Sequence, residues 1–166
     1  MALRSCSSAV VDRPLQGAEL APTALVGPDD GAIASFLGVV RDHHAGHAVR
    51  SLRYECYVPM AERVLGQIAA QVAASAQDGT LEGLAGAGNG GDGLPAADLR
   101  DIAVVLLHGI GEMVPGDVSL AVHVSSPHRV VAFAACRAIV EQIKADLPVW
   151  KLERYGDGSE RFLKGS

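Results

Sequence analysis

Two hydrophobic periods alternate along this chain, and their order restricts it to architectures that layer helices on a sheet. Gly31–Arg41 (GAIASFLGVVR) is nearly continuous in apolar and small residues, which predicts a strand buried on both faces. Val49–Tyr57 reads as a second long strand, entered by a turn at Gly46-His47-Ala48. Pro59 then suits a helix start, and Met60, Val64, Leu65, Ile68, Val72 and Ala73 recur at the spacing that builds one buried stripe. Asp101–Leu107 predicts another buried strand, with Gly109, Gly111, Pro115 and Gly116 punctuating the turn after it. Val118, Leu120, Val122 and Val124 alternate with Ser119, Ala121 and His123, the pattern of a half-buried strand. Ser126-Pro127 predicts a helix start, serine as cap and proline in the first turn. That helix runs to about Asp146, Pro148 ends it, and Val149–Arg154 makes a last strand. A short strand at Ser8–Asp12 and a short helix at Gly17–Val26 precede these elements. The sum is helices packed on a mixed sheet, an α+β or α/β sandwich in a single domain over residues 1–166.

One stretch breaks the pattern. Between Ala76 and Leu99 the run AQDGTLEGLAGAGNGGDGLPAAD carries seven glycines and almost no large apolar side chain. It cannot bury enough surface to offset the entropy of ordering it, so the expectation is a flexible glycine-rich loop at about 76–98. No strand-like run precedes GAGNGG and no Lys-Ser/Thr follows, which argues against a phosphate loop. The composition of the full 166 residues, 49% hydrophobic and 20% charged, supports a full-sized core. A net charge of −5 excludes a general nucleic-acid binder, which needs a basic face. No apolar run reaches the ~20 residues that span a bilayer, and Met1–Val11 lacks the apolar core of a secretory signal, so no membrane partner is expected. Cys6, Cys56 and Cys136 are isolated thiols of a reducing, cytoplasmic compartment, the latter two expected in the core.

Four places carry candidate chemistry. Arg41-Asp42-His43-His44-Ala45-Gly46-His47 closes the first long strand, where Arg41 offers a permanent cation with a planar donor fork. Its HHxxH spacing fits no standard zinc pattern. His128-Arg129 stands in the first turn of the second long helix, where free backbone N–H groups already favour an anion. Two basic side chains oppose the dipole there, which points to a ligand rather than to stability, the plainer alternative being that both bend outward to solvent. Lys144 and Lys151 flank the turn at Pro148, which can bring them into one pocket. Two ammonium groups so placed repel, which favours proton loss from one and suits it to nucleophilic or base chemistry. A helix-end pair between Glu141 and Lys144 is the plainer alternative. Trp150, beside Lys151, is expected in the core.

In order, GAIASFLGVVRDHHAG, LRYECYVPMAE, HGIGEMVPGDVSLAVHVSSPHRVVAFAAC and IKADLPVWKLE resemble the molybdopterin synthase large (catalytic) subunit family, over roughly residues 31–75 and 100–154. The most specific features are SSPHR followed by an aromatic, and K-x6-K ending in PVWK. The resemblance implies an α+β fold of the α/β-hammerhead kind and no metal or other cofactor. It implies Lys144 and Lys151 as catalytic lysines. Arg41, His128, Arg129 and the pocket aromatic Phe36 become the substrate-binding residues. The implied substrate is cyclic pyranopterin monophosphate. Sulfur is expected as a thiocarboxylate on the C-terminal Gly-Gly tail of a ubiquitin-like small subunit, giving the molybdopterin dithiolene of molybdenum-cofactor biosynthesis. Three features depart from the family: the long glycine-rich run, Val140 where some relatives carry methionine, and the short tail after Arg154.

His128 and Lys144 lie 16 positions apart on one predicted helix. At 1.5 Å per residue that is about 24 Å, too far to hold one small pterin together. If both basic pairs serve one site, His128-Arg129 comes from a second copy and a homodimer of large subunits is expected; the resemblance implies that it carries two small subunits. Two other classes would use the same residues. A non-catalytic module could bind a ubiquitin-like partner, and an enzyme of other chemistry could bind a small anion or nucleotide phosphate.

Overall fold

The computed structural model describes residues 3–21, 26–84 and 102–165. Nine strands and two α-helices follow in order. They are β1 (Leu3–Val11), β2 (Ala32–Val39), β3 (His43–His44), β4 (His47–Cys56), α1 (Val58–Gln77), β5 (Ile102–Gly109), β6 (Gly111–Met113), β7 (Val118–Ser126), α2 (Arg129–Asp146), β8 (Val149–Tyr155) and β9 (Glu160–Lys164). A four-stranded sheet runs β1-β5-β7-β2, parallel at β1/β5 and antiparallel elsewhere. A second, antiparallel sheet runs β3-β4-β8-β9, with β6 also paired to β4. Both helices lie on the four-stranded sheet, α1 on β1 and β5, α2 on β7 and β2, and they also touch each other. The expected α+β arrangement of helices on a mixed sheet is what the chain forms.

The first long strand is not buried on both faces. β2 is the edge of its sheet, and Ile33, Leu37 and Val39 stand exposed while Ala34 packs inward. β7 is buried on both faces, with every residue from Ser119 to Ser126 buried. Its polar alternation does not mark a solvent face, because each polar group finds a partner. Ser119 Oγ donates to the Gly38 carbonyl at 3.3 Å. His123 Nε2 donates to the Glu19 carbonyl at 3.0 Å, and its Nδ1 meets Ser35 Oγ at 2.9 Å. Ser125 Oγ donates to Asp30 Oδ2. The chain between β1 and β2 therefore covers this face, pinned also by Leu15 N–H to the Val118 carbonyl at 2.9 Å. Of the expected helix at Gly17–Val26, a single 3-10 turn forms at Gly17–Leu20.

Helix spacing reads more directly. Leu65, Ile68, Val72 and Ala73 of the predicted stripe are buried, whereas Met60 is exposed and Val64 only partly covered. α1 also takes in Ala76 and Gln77, and Leu81 and Leu84 fold back into the core, so the glycine-rich run is packed as far as Leu84. Its remainder, 85–98, lies outside the described residues. α2 starts at Arg129 with His128 as cap. Ser126 belongs to β7, and its hydroxyl receives the His128 N–H at 3.4 Å instead of capping the first turn. Cys136 is buried, which pushes its thiol up to about 11; Cys56 is half-buried and its thiol is also raised by burial. Among the described residues no helix is long and apolar enough to cross a membrane.

Candidate active site

The two sheets meet where the chain leaves β2 for β3, and the site is built at that corner. Val40 is clasped between two backbone bonds, its N–H to the Asp117 carbonyl and its carbonyl to the Gly116 N–H, both 2.9 Å. Asp117 Oδ2 accepts the Val114 N–H at 2.8 Å and holds that turn closed. The next anchor is Val49 N–H to the Asp42 carbonyl at 2.7 Å. Arg41 is thus fixed in the backbone on both sides while its side chain is exposed.

From the other direction, α2 ends with the Leu147 N–H on the Ile143 carbonyl, and Pro148 turns the chain into β8. β8 pairs with β4 so that Lys151 lies opposite Tyr54, and Trp150 opposite Glu55. The strand period sends alternate side chains to opposite faces. Lys151 and Glu153 face a cleft of about 410 Å³, while Trp150 lies with Tyr57 and Phe162 on another groove. Trp150 is 39% exposed and is not core as expected.

The cleft brings together Arg41, Phe36, Lys144 and Lys151. Lys144 is exposed in the last turn of α2 and has no ion pair among the described residues; the alternative pairing with Glu141 does not form. Lys151 differs, with Nζ 3.1 Å from Glu153 Oε1. The two lysines are therefore not two uncompensated cations, since a carboxylate offsets one of them. His128 and Arg129 do not line this cleft; they sit at the far end of α2, as their spacing required.

Residues 10–146 match the sequence model of the family described as MoaE protein. The chain belongs to the MoaE family. It is 34% identical over 151 residues to molybdopterin synthase catalytic subunit 1 of Mycobacterium tuberculosis, covering 91% of this chain and 86% of that one. It is 35% identical to the molybdopterin synthase catalytic subunit of a Nostoc species, covering 81% and 68%. Its fold superposes on molybdopterin synthase from Staphylococcus aureus with a TM-score of 0.72 at 28% identity, over 93% of this chain and 95% of that chain. The relatives are enzymes, and the lysine-bearing cleft gives this MoaE chain a place for an enzyme's chemistry.

Sequence reasoning missed Glu153, which this MoaE chain buries to 3% exposure at the cleft wall. Its Oε2 accepts from His44 Nδ1 at 2.6 Å and from the Tyr155 hydroxyl at 2.7 Å, while Oε1 faces Lys151. Burial alone would raise the carboxyl, but the bonds from Tyr155, His44 and Lys151 outweigh it and hold Glu153 below its ordinary value. The signal was available in the strand period, because Lys151, Glu153 and Tyr155 alternate along β8. The three histidines of HHxxH diverge. His43 pairs with Asp42, His44 with Glu153, and His47 packs against the Tyr155 ring. Among the described residues no group of three His, Cys, Asp or Glu side chains is placed to hold a metal.

Proposed function

We propose that this cleft transfers sulfur from the thiocarboxylated C-terminal tail of a ubiquitin-like small subunit to cyclic pyranopterin monophosphate, forming the molybdopterin dithiolene. The observation that carries the reading is the convergence of Phe36 and Arg41 from the end of β2, Lys144 from α2 and Lys151 from β8 on one cleft. Arg41 neutralises and orients the cyclic phosphate, and Phe36 offers the pterin an apolar surface. The tail thiocarboxylate sulfur bonds to a side-chain carbon of the pterin as a C–O bond there breaks. Water then cleaves the resulting thioester, leaving the sulfur on the pterin and releasing the tail as a carboxylate. Lys144, without a competing carboxylate among the described residues, handles protons or stabilises the acyl intermediate as the first sulfur moves. Lys151 positions the tail or substrate, and a second charged partner supplies the second sulfur.

The cleft is open, and His128 and Arg129 stand at the other end of α2. A second copy of the chain completes the site with that basic pair, giving a homodimer that carries two small subunits. Support comes from β2, an edge strand whose exposed Ile33, Leu37 and Val39 need cover, two of them at the cleft wall. The cytoplasm is the compartment that fits three free thiols.

The test mixes the purified protein, a thiocarboxylated small subunit and the cyclic pterin phosphate, and follows dithiolene product by mass spectrometry. Lys144→Ala is expected to lower turnover at least 1,000-fold, about 4 kcal/mol of barrier, with small-subunit affinity unchanged. Near-normal turnover in that variant would overturn the role of Lys144. Absence of product from the unaltered protein, with the partner still tightly bound, would leave a non-catalytic binding module.

A further inference from the structure

Beside the reacting groups the cleft contains an arrangement that the proposed chemistry does not use. Lys151 ends a four-carbon stem with many rotamers, so an ammonium group that must sit at one point needs a rigid anchor. Glu153 is that anchor only if its own carboxylate is prevented from turning. Two donors meet on its Oε2, His44 Nδ1 at 2.6 Å and the Tyr155 hydroxyl at 2.7 Å. They set the plane of the carboxylate and leave Oε1 to Lys151 Nζ at 3.1 Å.

We propose that His44 and Tyr155 are positioning residues: they lock Glu153, and Glu153 in turn holds the Lys151 ammonium at one place in the cleft. The two donors come from different elements. His44 reaches in from β3, which is paired to β4 at His44/His47 and His43/Ala48. Tyr155 ends β8, buried, with its ring centroid 5.4 Å from that of His47. The β3–β4 hairpin is thereby tied to the strand that carries Lys151. Burial of a carboxylate is costly unless its oxygens are bonded, so loss of either donor loosens the anchor rather than a surface contact. The consequence for turnover rests on the sulfur-transfer reading of the cleft; the geometry of the lock does not.

The experiment therefore reads both separately, on the full chain. Lysine acylation by an N-hydroxysuccinimide ester is followed by peptide mass spectrometry, with Lys144 as internal reference. In His44→Leu the rate at Lys151 relative to Lys144 rises about tenfold, the scale of a lost hydrogen bond to a charged group, and Tyr155→Phe moves it the same way. His44→Asn, which keeps an N–H donor near the Nδ1 position, stays close to the unaltered protein. In the dithiolene assay His44→Leu lowers kcat about tenfold at unchanged KM for the small subunit, and His44→Asn retains it. An unchanged Lys151 ratio in His44→Leu overturns the lock. A raised ratio with unchanged kcat overturns its role in positioning. A raised ratio in a protein that makes no dithiolene at all supports the lock and overturns the sulfur-transfer reading instead. Should the leucine variant melt early, the asparagine and phenylalanine variants decide: a raised ratio in Tyr155→Phe alone supports the lock, and an unchanged one removes it.

Discussion

His108 shows how one side chain can set the acid limit of the fold. It is fully buried on β5, its Nδ1 donates to the Gly109 carbonyl at 2.8 Å, and its ring meets Tyr54 edge-on at 5.3 Å. Among the described residues Nε2 has no partner, and burial lowers the imidazole from 6.5 to about 4. As pH falls through 6.5 the unfolded chain takes up this proton and the folded chain does not, so stability is lost between about 6.5 and 4 and is unaffected above that window. Glu153 acts in a lower one. Its depressed carboxyl contributes fully above 4.5, and that contribution goes as pH falls through the lowered value. Urea unfolding at pH 7 and pH 5 separates the two. The unaltered protein should lose on the order of 2 kcal/mol to His108 between these pH values, and His108→Leu should lack that loss. Equal pH dependence in both proteins would show that the imidazole charges inside the fold.

At the scale of elements, the prediction concerns how β5 passes into β6. Gly109 sits where the chain leaves one sheet for the other, and a Cβ there would lie 2.6 Å from the Arg13 carbonyl oxygen and 2.8 Å from Met113 Cε. The Arg13 backbone has little room to retreat, since its N–H is bonded to the Val11 carbonyl at 2.9 Å. Gly109→Ala should cost about 2–3 kcal/mol in urea unfolding. Gly66 in α1 is the contrast, with only Ser8 Oγ at 3.9 Å, so Gly66→Ala should stabilise by roughly 0.5–1 kcal/mol. The same contrast between local and tertiary causes governs what was legible beforehand. α1 and α2 could be read because an apolar stripe at helical spacing has one use. β2 and β7 were exchanged because burial of a strand is decided by its neighbours. Apolar Gly31–Arg41 lands on an edge, whereas Ser119, His123 and Ser125 are buried and bonded by β2 and by the segment before it. Motif order grouped Arg41, Phe36, Lys144 and Lys151, and these four line one cleft; Glu153 was passed over although it alternates with Lys151 and Tyr155, since a glutamate in a strand ordinarily faces water.

For the whole molecule, the decisive question is whether one copy holds a complete site. Arg41 and the lysines lie at one end of α2, and His128 and Arg129 at the other, a distance set by helix rise and not adjustable by side-chain motion. A two-fold homodimer would place the basic pair of each copy against the cleft of its partner, so each site would be assembled from two chains. Lys144→Ala and the double variant His128→Ala/Arg129→Ala should then each be inactive alone, for different reasons. Co-expressed with two tags and purified as the mixed dimer, they form one site with every group present and one lacking all three. Dithiolene formation should return to about half the unaltered rate per dimer, because one of two symmetric sites is whole. Recovery requires that the two chains share a site; if His128 and Arg129 served the cleft of their own copy, mixing would restore nothing, and if they served no cleft the double variant would already be active alone.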